Sequence, residues 1–376
     1  VSIQIKTVET KKDLKTFAKV PFKIFKDNPY WVPPLTSEEL KTFDKKNNPA
    51  YKDADSRLFI AYKNGKPIGR IAGIISYAAN EKYSAKNLRF GWFDTIEDYE
   101  VAEALFKEVE KWGNELGMKT LSGPHGFSDL EPEGMLIEGF DQVPTIAVIY
   151  NHPYYPEFAE KYGFKKDVDY VELKSEMPDT GIPGKLFRLA ERIKERSHFK
   201  VLKFKKKKDL LSKGQEVFHL LNEAFKGLYG TVPLSQEQID YYIKKYFSFV
   251  DKDLVKVVAN QHDEVIGFVV TLPNLSKPFQ KAKGRLLPFG WYHILKGFKE
   301  HETLDLYLIG VRKEYRGLGV DILMVTEIAK TALEKGFKYT KSNVILAENK
   351  KAQAQLKLFN PRIYRRKRLF KKRISL

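Results

Sequence analysis

The stretch "LDLYLIGVRKEYRGLGVDILMVTEIAKTALEKG", residues 304–336, decides how the rest of the chain is read. Its first eight residues, up to Val311, are apolar enough to form a buried strand. From Val325 onward, Ile328, Ala329, Ala332 and Leu333 recur at helical spacing. The ten residues between, "RKEYRGLGVD", carry two glycines and a net positive charge. A strand that feeds a glycine turn and then a helix presents unpaired N–H groups and the positive end of a dipole. That geometry suits a pyrophosphate: Gly317 and Gly319 admit close approach and Arg316 adds charge. Asp321 stands where the helix begins, so the sequence predicts it as the N-cap, within reach of the Leu323 or Met324 amide.

The same plan occurs twice. "YKNGKPIGRIAGII" (62–75) reads as two strands about a glycine turn, and "VVANQHDEVIGFVVTL" (257–272) repeats it, with Ile68-Gly69 matching Ile266-Gly267. Each hairpin precedes a strand and an amphipathic helix that ends at a glycine, Gly117 or Gly336. In the first copy these are "LRFGWFDT" and a helix on which Ala102, Leu105, Phe106, Val109 and Leu116 share one face. The chain reads as a duplicated α/β unit, with a turn-rich boundary near 176–185. The copies differ at the crucial point: where the second has its glycine turn, the first has the acidic "FDTIEDYEVAEA", which would repel a phosphate.

Composition bounds the chemistry. With 376 residues, 43% of them apolar, the chain can bury the cores of two domains. No cysteine is present, which excludes disulfides and a thiol nucleophile; the seven histidines form no metal-binding pair, so no metal is expected. No segment has the length and apolarity of a signal peptide or membrane span, and a cytoplasmic location is the default expectation. The net charge of +18 is concentrated in "KVLKFKKKK" (200–208), "KPFQKAKGR" (277–285) and a C-terminal "PRIYRRKRLFKKRISL" read as a basic tail. An anionic cosubstrate, an anionic membrane surface and nucleic acid all fit such charge. No helix-turn-helix, RRM or KH pattern accompanies it, so specific nucleic-acid binding is not expected. An insertion at 276–303 mixes basic residues with Leu286, Leu287, Phe289, Trp291, Tyr292 and Leu295. It reads as a helical hairpin on the core, a wall for a bulky substrate, or a surface that enters lipid headgroups.

The order of hairpin, strand "LIGV", turn "YRGLGV", helix, strand "YTKSNVI" and "AENKKAQAQLKLF" resembles the GNAT superfamily of acyl-CoA-dependent N-acyltransferases. The resemblance implies an α/β (α+β) fold of two tandem GNAT-like domains, each a mixed, mostly antiparallel sheet flanked by helices. On this reading residues 1–175 form a domain without a cofactor loop that shapes the acceptor pocket. Residues 176–200 form a linker, and 201–376 form the acyl-CoA-binding domain. The family's loop, Arg/Gln-x-x-Gly-x-Gly/Ala, matches Arg316, Gly317, Leu318, Gly319 and Val320, and departs from it at Asp321. The backbone of Ile309, Gly310 and Val311 would pair with the pantetheine arm, and Asn349 matches a second family position. With "DNPYWVPPL" and "GRIAG", the whole chain is similar to bacterial double-GNAT proteins, including those related to ceramide synthase-type N-acyltransferases.

What the resemblance implies is transfer of an acetyl or longer acyl group from acyl-CoA to an amine. The acceptor is either a long-chain amine at the inner membrane face or a small polar amine. A binding protein that has kept the fold and lost the chemistry is the rival, because the family's tyrosine acid is missing: Leu356 stands near its place and Asn360-Pro361 follows. Acid–base candidates are Glu302, Asp305 and Tyr307 at the strand, with Asp305, Tyr307 and Ile309 on one side by alternation. His125, beside Asp129 in the first copy, is a candidate reaching across the domain interface.

Overall fold

The computed structural model describes residues 2–178, 181–247, 250–356 and 359–374. Its first half holds strands β1 (Gln4–Thr7), β2 (Ala54–Lys63), β3 (Lys66–Ser76), β4 (Asn87–Thr95), β5 (Thr120–Gly123), β6 (Met135–Glu138) and β7 (Lys165–Glu176). Its helices are α1 (Lys11–Ile24), α2 (Thr36–Thr42), α3 (Tyr77–Lys82), α4 (Tyr99–Glu115) and α5 (Tyr154–Lys161). The second half holds β8 (Lys200–Val201), β9 (Val255–Ala259), β10 (Val265–Pro273), β11 (Thr303–Val311), β12 (Tyr339–Ser342), β13 (Ile345–Leu346) and β14 (Arg362–Arg373). Its helices are α6 (Gly184–Ser197), α7 (Lys207–Ser212), α8 (Gly214–Phe225), α9 (Gln236–Tyr242), α10 (Ser276–Ala282), α11 (Gly290–Gly297), α12 (Val320–Glu334) and α13 (Lys350–Gln355).

The duplication is visible atom by atom. A Cβ added to Gly69 on β3 would lie 3.1 Å from Val101 of α4; one on Gly267 of β10 would lie 2.5 Å from Val320 of α12. Each glycine therefore lets the helix after the fourth strand settle close onto the sheet. The registers agree too, Gly69 opposing Thr95 and Gly267 opposing Val311. Leu116 of the expected helical face lies past the end of α4 and is exposed.

The two units share one mixed, mostly antiparallel sheet, ordered β1-β2-β3-β4-β5-β14-β7-β12-β11-β10-β9-β8. The halves exchange their final strands: β14 lies between β5 and β7, whereas β7 pairs with both β14 and β12. The segment read as a basic tail is thus a central strand. Its charges alternate between burial and pairing with the first half. Arg365 and Lys367 have no exposure, Arg366 meets Glu138, Arg368 meets Asp169, and Lys372 meets Glu110. Within the stretch read as a linker, 184–197 are helix α6, whose Lys194 pairs with Glu327 of α12.

Candidate active site at the seam between the halves

In both halves the fourth strand breaks its register at a bulge. On β11 the partner changes from Val270↔Leu308 to Thr271↔Leu306, leaving Tyr307 as the extra residue. On β4 the shift falls between Arg70↔Asp94 and Ala72↔Gly91, around Trp92, whose φ is 47°. A bulge bends the strand and reverses the alternation beyond it. Leu304, Leu306, Ile309 and Val311 consequently all pack toward α12, whereas Tyr307 and Leu308 pack toward α8 and α9. The expected grouping of Ile309 with Asp305 and Tyr307 is therefore corrected.

Beyond the bulge the halves diverge. β11 pairs with β12 only through Leu306, and Asn343 N–H closes that ladder on the Leu306 carbonyl at 2.9 Å. Among the described residues, no backbone group of 343–349 bonds to residues 307–311, so that strand edge is open to a ligand. In the first half β4 pairs with β5 only through Arg89, but the chain then turns back and His125 N–H donates to Phe90 C=O at 2.8 Å. The equivalent gap is filled.

The helix starts diverge in the same sense. Asp98 caps α4, its carboxylate accepting from Glu100 N–H, and this anion occupies the positive end of the helix. At α12 the cap is Gly319, φ 87°, with no side-chain capping bond. The first intrahelical bond is Leu323 N–H to Gly319 C=O, which leaves the preceding amides unpaired within the helix. Asp321 is therefore not the N-cap: it lies half-buried in the first turn. Gly317 (φ 80°) has nothing within 4 Å of a built Cβ, so the space over it is open. Arg316, exposed on the turn, donates to Val311 C=O and Ala224 C=O at 3.2 Å each and fastens the turn to β11 and α8.

Leu130 of the first half packs in the apolar cluster that holds Tyr307 and Leu308, and its loop carries a buried polar group. His125 Nε2 lies 3.5 Å from carboxylate oxygens of both Asp129 and Glu133 and has no hydrogen-bond partner among the described residues. Burial, then the Arg89 charge, push the His125 imidazole down, and burial pushes the Glu133 carboxyl up to about 8, with Asp129 adding to the latter effect. Arg89, donating to Gly126, Phe127 and Gly230 carbonyls, and Lys367, pushed down to about 7 by burial, supply positive charge. The loop after α8 docks here: Lys82 and Tyr83 donate to Thr231 C=O, Tyr229 bonds Asp167, and Gly230 lies 3.5 Å from the imidazole as measured from a built Cβ. A small crevice runs from Asp129 and Leu130 to Leu221, Phe225, Thr231 and Pro233. The three ligand atoms of His125, Asp129 and Glu133 lie within 4.8 Å of one another, a spacing a metal ion could use. The adjoining guanidinium and amine fit an acid–base role better than a cation site.

No family model matches the chain. It is 26% identical over 376 residues to Protein YghO of Escherichia coli (strain K12), spanning 98% of this chain and 95% of that protein. It is 28% identical over 357 residues to the bacterial ceramide synthase of Caulobacter vibrioides, spanning 91% and 90%. A tandem GNAT protein from the clavulanic acid biosynthesis pathway superposes with a TM-score of 0.60 at 10% identity, spanning 100% of this chain and 99% of that one. A GCN5-related N-acetyltransferase from Sphaerobacter thermophilus superposes with 0.55 at 11% identity, spanning 100% and 96%. The fold is the tandem GNAT fold.

Within that GNAT frame the candidates separate. Glu302 is an exposed partner of Lys338, away from the seam chemistry. Asp305 is fully buried, accepts from Asn274 Nδ2 on both carboxylate oxygens at 2.9 Å, and is raised to about 7 by burial. The Tyr307 hydroxyl is buried without a partner among the described residues, and burial keeps it protonated. Ile309, Gly310 and Val311 lie on the open edge of β11; Leu318 is exposed on the turn and Val320 is buried beneath it. Asn349 caps α13, accepting from Ala352 N–H at 3.1 Å. Sequence reasoning missed Glu133, Lys367, Arg89 and Asn274. The first could have been found from its spacing, since His125, Asp129 and Glu133 recur every four residues.

Proposed function

We propose that the protein is an N-acyltransferase that takes an acyl group from acyl-CoA onto an amine carrying a long apolar chain, presented at an anionic membrane surface. The observation that carries this reading is the contrast between the two units. The second has an open strand edge and an uncapped helix start, and the first has both filled. The amides of Gly317, Gly319 and Val320, with Leu318 N–H already held by Tyr315 C=O, and the charge of Arg312 and Arg316 would hold the pyrophosphate. The open edge at 308–311 would hold the pantetheine arm. Bulged Tyr307 would then stand beside the thioester. In the transfer the amine nitrogen forms the C–N bond as the C–S bond breaks; the amine loses a proton and the thiolate gains one. We assign the latter proton to the Tyr307 hydroxyl, and reception of the former to the His125–Glu133 pair. Asp129, at one end of a crevice lined mainly by apolar side chains and with Glu133 behind it, suits an ammonium head followed by a hydrocarbon chain. The name of the Caulobacter relative, a ceramide synthase, points the same way.

The chain has no cysteine, so released CoA thiol can be read without background from the protein. Full-length protein incubated with acetyl- to palmitoyl-CoA and a long-chain amino alcohol should release CoA only when the amine is present, with the amide seen by mass spectrometry. Release with short polar amines alone would move the acceptor class. No amine-dependent release with any pair would remove the catalytic reading.

A further inference from the structure

We propose that the α10–α11 hairpin is a membrane anchor that inserts its tip into an anionic bilayer. The inference rests on the lipid-surface part of the functional reading above and names the element responsible. Fifteen large apolar side chains are exposed among the described residues, and six of them fall within 286–295. Leu287 is 75% exposed, Phe289 69% and Leu295 56%, with Leu286, Trp291 and Tyr292 alongside. Elsewhere exposed apolar residues occur singly or in pairs, as on any soluble surface. A run this dense marks a surface with a partner.

Charge selects the partner. Between residues 276 and 299 there are six basic residues, Lys277, Lys281, Lys283, Arg285, Lys296 and Lys299, and no acidic one. All six are exposed. An apolar tip ringed by cations, with Trp and Tyr at its border, matches the headgroup–acyl boundary of an anionic leaflet. The acids of the insertion, Glu300 and Glu302, lie past this stretch, where Glu300 pairs with Lys296 at 3.4 Å.

The hairpin is also built to be held out rigidly. A Cβ on Gly297 would come within 2.3 Å of Pro278, and one on Gly290 within 1.8 Å of the Arg285 carbonyl, so the two short helices close tightly on each other. Its base is fastened to the first half: Gln280 donates to Pro29 C=O at 2.8 Å, and Thr36 N–H donates to Gly284 C=O at 3.0 Å. At its root Asn274, just after β10, holds Asp305, two residues before the bulged Tyr307. A bilayer at the tip therefore lies at the end of the strand pair that carries the candidate site, so an amine can approach the seam with its chain still in lipid.

The test uses the full chain and vesicles of phosphatidylcholine alone or mixed equally with phosphatidylglycerol. Wild type should float with the mixed vesicles, losing the association in high salt, and Trp291 fluorescence should shift to the blue. Leu287→Glu/Phe289→Glu should lower binding by about tenfold or more, with melting temperature and CoA affinity unchanged because both side chains are exposed. Lys281→Glu/Lys283→Glu should weaken binding to mixed vesicles and leave any neutral-vesicle binding unaltered. No association of wild type with mixed vesicles, or equal association of the Glu variants, would overturn the proposal. So would a wild-type dimer that the Glu variants dissolve without any lipid binding, since the tip would then cover a second copy. Transfer to a short-chain amine, assayed without vesicles, is independent of these outcomes and separates failure of the anchor from failure of the catalytic reading.

Discussion

Two residues at the site make separable predictions. Gly317 and Gly319 are separated only by Leu318 but differ in surroundings. A side chain on Gly319 would strike Ile193 of α6 at 2.4 Å, so Gly319→Val would loosen the α6–α12 packing and confuse stability with binding. Gly317 has open space above it, and its φ of 80° imposes only a backbone penalty of about 1–2 kcal/mol on another residue. Gly317→Val should thus lower CoA affinity in calorimetry by about tenfold or more, with a small drop in melting temperature. Unchanged affinity would make the turn a mere corner. Glu133 makes a pH prediction. Its folded pKa, raised to about 8, lies above the unfolded carboxylate value, so its contribution is full below the unfolded pKa and is lost as pH rises through about 8. Glu133 is faced by Asp129, His125, Arg89, Tyr170 and Lys367. Glu133→Gln removes the titration, so its melting temperature relative to wild type should rise between pH 5 and pH 8 and then level off. A difference independent of pH would show that Glu133 stays ionised throughout. His125 and Asp129 were legible as candidates, and Glu133 is foreshadowed by the four-residue spacing, but their burial was not, because a polar, glycine-rich loop gives no apolar pattern from which burial can be read.

At the scale of elements, β14 decides most. It carries eight Lys or Arg in the C-terminal stretch, and such a run ordinarily means a solvated tail. The fold instead pairs its charges with acids of the first half and buries Arg365 beside Glu172, both without exposure, at 3.1 Å. Arg365→Met should destabilise strongly, by about 3–5 kcal/mol, because it leaves the buried Glu172 charge without its guanidinium, with only the Tyr364 hydroxyl donating to it; adding Glu172→Gln should recover much of the loss. Chemical denaturation of the three proteins checks this, and additive effects would show that the pair is not coupled. The repeated hairpins, the fourth strands and the helices α4 and α12 were all legible, since each is set by local apolar periodicity and glycine placement. The strand exchange was not, because β14 and β7 are nearly 200 residues apart and two of the four buried positions of β14, Arg365 and Lys367, are charged. The bulge at Tyr307 was hidden for a related reason: alternation in sequence is unbroken there, and only the partner strand shows the extra residue.

The whole molecule then has a consequence for how cofactor binding can be tested. Cutting the chain near the turn-rich boundary would leave the first half without β14, the strand between β5 and β7, and the second without β7, the neighbour of β12. Each fragment would expose an unpaired central edge, which favours aggregation over folding. One chain must therefore be tested intact, and stoichiometry becomes the decisive quantity. Two GNAT units permit two molecules of CoA per chain. Here the first unit places the Asp98 carboxylate at the helix start and closes its strand gap through His125 N–H on Phe90 C=O. A phosphate brought there would meet a carboxylate where the second unit offers free amides, and a pantetheine arm would have to displace a chain segment bonded to β4. Titration of the full chain with CoA should accordingly saturate at one equivalent, and Gly317→Val should remove that single event. In Asp98→Asn the repelling charge at the first helix start is gone while the cap is retained, yet the filled gap should keep the count at one. A second equivalent in wild type, or one that survives in Gly317→Val, would place a working cradle in the first half and remove the asymmetry on which the functional reading rests.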